Sequence, residues 1–246
     1  MDPVALAAHG ESLWHRLGLA ALGVGWVERG DVARRDRPST PVFLGALSLR
    51  AGVPAAHLAA AVKDLEGEVA VRDAGGAEDL GPFGFVLQAR EPWMLRHRAP
   101  TAPAPVLAGL EVAPCRTPAE VELFERTSVE GFTGTTAGWV PGAIHPAACL
   151  RVPGLTLFLA RLDGQPVGTA IAAADDTVLN VGGVAVVRSA RRQGIGTRLT
   201  LACLSVASSL PAVLSRSEDG HHLYRALGFA DVGPSALWWR PRSRAT

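Results

Sequence analysis

Three observations predict an α/β (α+β) protein in two parts for this 246-residue chain. A strand-like run at residues 184–187 ends in an Arg-x-x-Gly-x-Gly turn, Arg191 to Gly196, that opens into an apolar helix. Tyr224, the sole tyrosine, stands downstream in Leu223-Tyr224-x-x-Leu227-Gly228-Phe229, at a distance that leaves room for one helix and one strand. Residues 99–105, Ala-Pro-Thr-Ala-Pro-Ala-Pro, are a stiff extended linker by composition. Helical and strand patterns are mixed on both sides of that linker.

Taken in order, the first part should begin with a helix from Pro3 to about Leu19 and continue with strands over 24–28 and 42–49. A helix over 54–65 and strands near Val69 and Phe85 follow. After the linker, Thr117 with Glu120 three residues on gives a capping box for a helix over 118–129. The Gly-rich segment 131–142 then reads as a loop, with Phe132 and Trp139 either turned toward an apolar ligand or packed beneath it. Asp175 and Asp176 mark a hairpin tip, and Trp238 and Trp239, adjacent on a strand, face opposite sides. The division implied is a lobe at 1–98, a linker at 99–106 and a second lobe at 107–246.

The turn at 191–196 suits a phosphate, the alternative being an ordinary strand-to-helix turn with a solvated arginine cluster. The first N–H groups of a helix have no intrahelical acceptor and carry the positive end of its dipole, worth up to about 2 kcal/mol to a partly buried anion. Gly194 and Gly196 have no Cβ to keep a diphosphate from the backbone, and Arg188, Arg191, Arg192 and Arg198 surround the turn with positive charge. A P-loop is excluded, because no Lys-Ser or Lys-Thr follows the last glycine. A dinucleotide fingerprint is excluded too, because its third glycine is missing.

Residues from about 108 to 240 resemble the GNAT superfamily of acyl-CoA-dependent N-acyltransferases. The likeness rests on Val184-Ala185-Val186 as the fourth strand, on Arg191-x-x-Gly194-x-Gly196 as the pyrophosphate loop, and on the Tyr224 motif. It implies a mixed twisted sheet flanked by helices and acetyl-CoA, or another acyl-CoA, as cosubstrate. By the same resemblance, the strand backbone at Val184 and Val186 pairs with the pantetheine arm. The loop at Arg191, Arg192, Gln193, Gly194, Gly196 and Thr197 holds the pyrophosphate, and Tyr224 protonates the departing thiolate. The expected reaction is direct transfer of the acyl group to an amine of a small molecule or peptide in a ternary complex. A CoA-binding regulator or scaffold without catalysis is the alternative, because residues 177–183 carry no carboxylate to serve as base. Glu130, His145 and the Asp175–Asp176 pair are the other candidates for that role, none of them singled out.

The first lobe reads as a degenerate copy of the second. Gly84-Phe85 and Gly228-Phe229 are each followed at the same spacing by an arginine that closes an aromatic strand, Arg96 and Arg240. No Arg-x-x-Gly-x-Gly loop accompanies residues 46–54, so this lobe is expected to bind no cofactor and to wall one side of the acceptor cleft. A net charge of +1 gives no bulk argument for nucleic acid or membrane, and no strongly acidic cleft is evident to favour a polycation. Cys115, Cys149 and Cys203 are widely spaced, which argues against disulfides and zinc. The start of the chain lacks a basic signal region, so the expectation is a cytoplasmic protein, monomer or homodimer, without metal.

Overall fold

Strand-forming runs on either side of the linker build two mixed sheets, and each sheet takes one strand from the other part of the chain. The computed structural model describes residues 2–97 and 107–242; the linker expected at 99–106 lies outside them. In chain order the first part gives α1 (Pro3–Ala21), β1 (Trp26–Arg29), β2 (Val32–Arg35), β3 (Ala46–Ser48), α2 (Ala55–Ala61), β4 (Val69–Asp73), β5 (Val86–Arg90) and β6 (Trp93–Arg96). The second gives β7 (Leu110–Pro114), α3 (Pro118–Thr133), β8 (Leu155–Leu162), β9 (Gln165–Ala174), β10 (Leu179–Val186), α4 (Ile195–Val206), β11 (Ala212–Ser215), α5 (His221–Ala226), β12 (Ala230–Gly233) and β13 (Ala236–Arg240).

One sheet has the order β1-β2-β3-β4-β13-β5 and the other β12-β6-β11-β10-β9-β8-β7. β13 therefore lies between the two last strands of the first sheet, and β6 lies between β11 and β12 of the second. The exchange is reciprocal, and the rest of the topology repeats with it. Each sheet has one parallel pair, β3 with β4 and β10 with β11, bridged by α2 and α4. The arginines of the sequence repeat close the exchanged strands: Arg96 Nε donates to Leu227 O at 2.9 Å, and Arg240 donates to Val62 O and Leu65 O. As a division of the sheets, a cut near residue 98 does not hold, because strands cross it in both directions.

Local structure follows the sequence closely in most places. Asp2 caps α1, and the Thr117–Glu120 capping box at α3 is present on both sides. β2 lies where the sequence pattern predicts no strand. Its charged sequence, Val-Ala-Arg-Arg, hides a strand that pairs with β1 across the tight turn at Gly30 and Asp31, and its Arg35 is buried with one guanidinium nitrogen held by the carbonyls of Ser39, Thr40 and Phe43.

α1 ties the two sheets together. Gly10 approaches the second sheet so closely that a Cβ there would collide with Val213, and a Cβ at Gly18 would collide with Phe43 of the first lobe. Alternation along β9 sorts its two faces: Ala170 and Ala172 pack with the α4 residues Leu199 and Cys203, while Ile171 packs with Phe124 of α3 and Ala173 with Ala7 and Leu13 of α1. α1 and α3 thus cover one face of the second sheet and α4 the other. Trp238 is buried in the core of the first lobe and Trp239 faces the cleft between the lobes, the opposite-sides arrangement expected of adjacent residues on a strand.

Candidate active site

The site opens where β10 and β11 part. They pair only at Leu179–Ala212 and Asn180–Val213, so from Val181 onward the edge of β10 that faces β11 has no partner strand. On its other edge β10 stays paired with β9, through a bulge between Gly182 and Ala185 that Thr169 Oγ1 braces by donating to Gly183 O. The result is a wedge ending in a cavity of about 330 Å³. Gly183, Val184, Tyr224 and Phe132 line it on the second-lobe side, and Glu11, Trp14, Arg72 and Trp239 on the first-lobe side.

After Val187 a short turn at Arg188–Ala190 leads into the loop and α4. Arg192 and Gly194 both adopt positive φ, 63° and 81°, which swings the chain so that the first turn of α4 starts at an open surface. Gly194 is the N-cap and offers no side-chain cap, so the N–H groups at the start of α4 are left for a ligand. Arg192, Gln193, Gly194, Gly196 and Thr197 lie at that helix start. The guanidinium of Arg191 is engaged elsewhere. Its Nε donates to Val186 O at 3.0 Å and a terminal nitrogen to Gly131 O at 2.8 Å, which ties the loop to the end of α3.

The equivalent place in the first lobe is filled from within. α2 is seven residues long, and the N–H of its first residue, Ala55, donates to Glu78 Oε2 at 2.8 Å. A carboxylate of the protein sits where the second lobe leaves room for an external anion.

Tyr224 stands on α5 with its ring edge-on to Phe229, at 5.9 Å between centroids. Burial, aided by the neighbouring Cys203, pushes its phenol up to about 12. It is therefore a protonated donor throughout the neutral range. Of the other residues considered for proton transfer, Glu130 is exposed on α3, and Asp176 is exposed at the hairpin. Asp175 is not a free tip: it accepts from the N–H groups of Thr177 and Val178 and lies 3.0 Å from His9 Nε2.

His145 lies beneath the site rather than in it, packed edge-on to Phe124 and Phe43, with neither ring nitrogen hydrogen-bonded. Burial lowers its pKa to about 4 against the opposing pull of Glu125. The unfolded chain binds a proton near pH 6.5 that the folded protein refuses until about 4, so stability present above that window is lost as pH falls through it. The loss attributable to this residue should approach about 3 kcal/mol. Urea unfolding at pH 7, 5.5 and 4.5 should show a steeper decline in the parent than in His145→Met; parallel declines would refute the assignment.

Sequence reasoning missed two groups. Glu125 is fully buried and accepts from Trp139 Nε1, Gly142 N, Ile144 N and His145 N at 2.6 to 3.0 Å, anchoring the loop after α3. Trp139 is accordingly part of that anchor. The other group is Glu11, His15, Arg72 and Glu91 on the cleft wall. A signal existed for both: Glu125 falls on the Val121, Phe124, Ser128 face of α3, and Glu11 and His15 fall on the buried face of α1 with Ala7 and Ala8.

Comparison with known proteins places this geometry. Residues 153–231 match the family model described as an acetyltransferase (GNAT) domain. No curated protein matches the sequence. Among solved structures, a GCN5-related N-acetyltransferase from Kribbella flavida is similar at 22% identity over 96% of each chain, with a TM-score of 0.63. A structure assigned to the GNAT family from Novosphingobium aromaticivorans is similar at 17% identity, over 96% of this chain and 99% of that one, with a TM-score of 0.58. A tandem GNAT protein from the clavulanic acid biosynthesis pathway is similar at 16% identity over 98% of each chain, with a TM-score of 0.54. The likeness in each case is one of fold, and it spans both lobes. Among the described residues no helix is long and apolar enough to cross a membrane, and no cluster of side chains is arranged for a metal.

Proposed function

We propose, from the premise that residues 153–231 form a GNAT acetyltransferase domain, that the protein transfers an acetyl group from acetyl-CoA to an amine by direct attack. The observation that carries this reading is the conjunction of three features: the uncapped N-terminus of α4, the unpaired edge of β10, and Tyr224 on the cavity wall, one residue from the Leu223 that Gly196 approaches. The α4 amides and the loop from Arg192 to Thr197 would hold the pyrophosphate, and the backbone at Val184 and Val186 would take the pantetheine arm. That places the thioester in the wedge, where positioning of the two reactants supplies several kcal/mol of the barrier reduction.

In this reading the deprotonated amine nitrogen attacks the thioester carbonyl carbon, and the carbon–sulfur bond breaks. The leaving sulfur takes the phenol proton of Tyr224, and the proton lost by the new amide nitrogen restores the phenol. The acceptor is an amine of a small molecule or peptide. The setting proposed is cytoplasmic.

The test is calorimetric titration with acetyl-CoA and CoA, followed by amine-dependent release of free thiol. Micromolar binding with turnover supports the reading; binding without turnover over a broad amine panel would instead favour the CoA-binding scaffold. Tyr224→Phe should lower kcat about 100-fold while leaving the affinity for acetyl-CoA within about threefold. An unchanged kcat would remove Tyr224 from the chemistry.

A further inference from the structure

Beyond the bulge of β10 the cleft continues into a space whose far wall belongs to the first lobe. Glu11 from α1, Arg72 from β4 and Glu91 from the turn after β5 meet on that wall. Arg72 faces both carboxylates: Nε lies 2.8 Å from Glu11 Oε1 without hydrogen-bond geometry, one terminal nitrogen donates to Glu91 Oε2 at 2.7 Å, and the other donates to Ser235 Oγ at 3.0 Å. The carboxylates keep capacity to spare. Each commits one oxygen to Arg72, and among the described residues the second oxygen of each has no hydrogen-bond partner. Among the charged side chains that line the cavity, Glu11 and Glu91 stand against the single guanidinium of Arg72, with Arg35 charged behind His15, so the lining itself is negative where charge interactions are stronger than in water.

A separate observation marks this space as a site awaiting a ligand. His15, one turn on from Glu11, lines the same cavity at 1% exposure, and neither of its ring nitrogens has a hydrogen-bond partner. Its closest ionic neighbour is Glu11 Oε1, 3.6 Å from Nε2. Burial holds its imidazole below the ordinary histidine value, so at neutral pH it does not cancel the negative charge. Burial opposes the charge on Glu11, yet its carboxyl is held below the ordinary carboxylate value, with the Arg72 guanidinium as the largest favourable influence. Trp14 and Trp239 present ring surface on the same wall, and an ammonium against such a face gains roughly 0.5 to 2 kcal/mol.

We propose that this interlobe space is the acceptor pocket and that it selects an amine carrying a second cationic group, with the remote cation at Glu11 and Glu91 and the near amine facing the thioester. The proposal rests on the acetyl-transfer reading, which puts the near amine beside Val184 and Tyr224. A remote carboxylate is rejected because both glutamates repel it and the guanidinium of Arg72 already faces them. The first lobe thereby gains a role in choosing the substrate while its own helix terminus is closed by Glu78.

The test uses calorimetry without cofactor, so that its result does not depend on acetyl-CoA. The probes are 1,5-diaminopentane, pentylamine and 5-aminopentanoate, which share a chain length and differ in the remote group. The diamine should bind at least about tenfold more tightly than either of the others. In Glu91→Gln, which leaves the Glu11–Arg72 contact in place, that preference should shrink to about threefold or less. Circular dichroism of this variant should match the parent. Equal affinities, tighter binding of 5-aminopentanoate, no binding of the diamine at millimolar concentration, or an unchanged preference in folded Glu91→Gln would each overturn the cationic-acceptor assignment. A parallel titration in which acetyl-CoA fails to bind would overturn the transferase reading alone, whatever the diamine does.

Discussion

Replacing Gly194 by Asp is expected to weaken acetyl-CoA binding at least about 100-fold, whereas Gly194→Asn should weaken it by no more than about tenfold. Both variants accept the same backbone cost. Gly194 has φ of 81°, a Cβ added there meets nothing, and Asn and Asp are the side chains that tolerate this region best. The two differ in charge. An aspartate there would set a negative charge beside the first N–H groups of α4, where the helix dipole favours it and an incoming diphosphate is repelled. The fold would be preserved while the anion site was occupied from within, which reproduces in the second lobe what Glu78 does at Ala55 in the first. Gly196 is a poorer place for the same test: a Cβ there would lie 3.0 Å from Leu223 Cδ1, next to Tyr224, and would disturb α5 as well as the loop. Calorimetry decides the matter. Near-parent affinity in both folded variants would show that the pyrophosphate does not bind at this helix start.

Glu125→Gln should be among the most damaging conservative changes in the protein. The carboxylate receives four donors from residues 139–145 and is itself fully buried. A glutamine keeps the volume but replaces one acceptor oxygen with an NH2 group, which would face two of those donors. Each buried donor so stranded costs roughly 1–3 kcal/mol, so the expected loss is about 4 kcal/mol. For a chain of this length that lowers Tm by roughly 8–16 °C. Thermal and urea unfolding would measure it, and a loss below about 1 kcal/mol would mean that the loop draws its order from elsewhere.

Much of this was legible in the sequence because the signals were local. The capping box at Thr117, the glycines at 194 and 196 and the Tyr224 motif each act within a few residues, and each occupies the predicted place. The cationic character of Arg191 was legible too, but its partners, the carbonyls of Val186 and Gly131, come from two other elements. The buried face of α1 marked Glu11, but no spacing joined it to Arg72 and Glu91, since the three come from a helix, a strand and a turn that meet only after folding. For the same reason the sequence made no acidic cleft evident, although Glu11 and Glu91 line one in the fold. Periodicity likewise identified the strands around Trp93 and Trp238, yet a strand's pattern states that one face is buried and not which sheet receives it. The repeated Gly-Phe and Arg spacing pointed to two related lobes; the trading of β6 for β13 lay beyond it.

That trade sets an order of events during synthesis. β4 and β5 emerge early, but the strand that joins them is residues 236–240, so the first sheet holds an unfilled slot for nearly the whole time the chain is being made. The nascent first lobe must tolerate two exposed strand edges until its partner arrives, a period in which such edges invite pairing with other chains. Once both strands are in place, neither sheet can open without breaking the other, so the two lobes should melt as one unit and a protease that severs the linker should leave the halves associated.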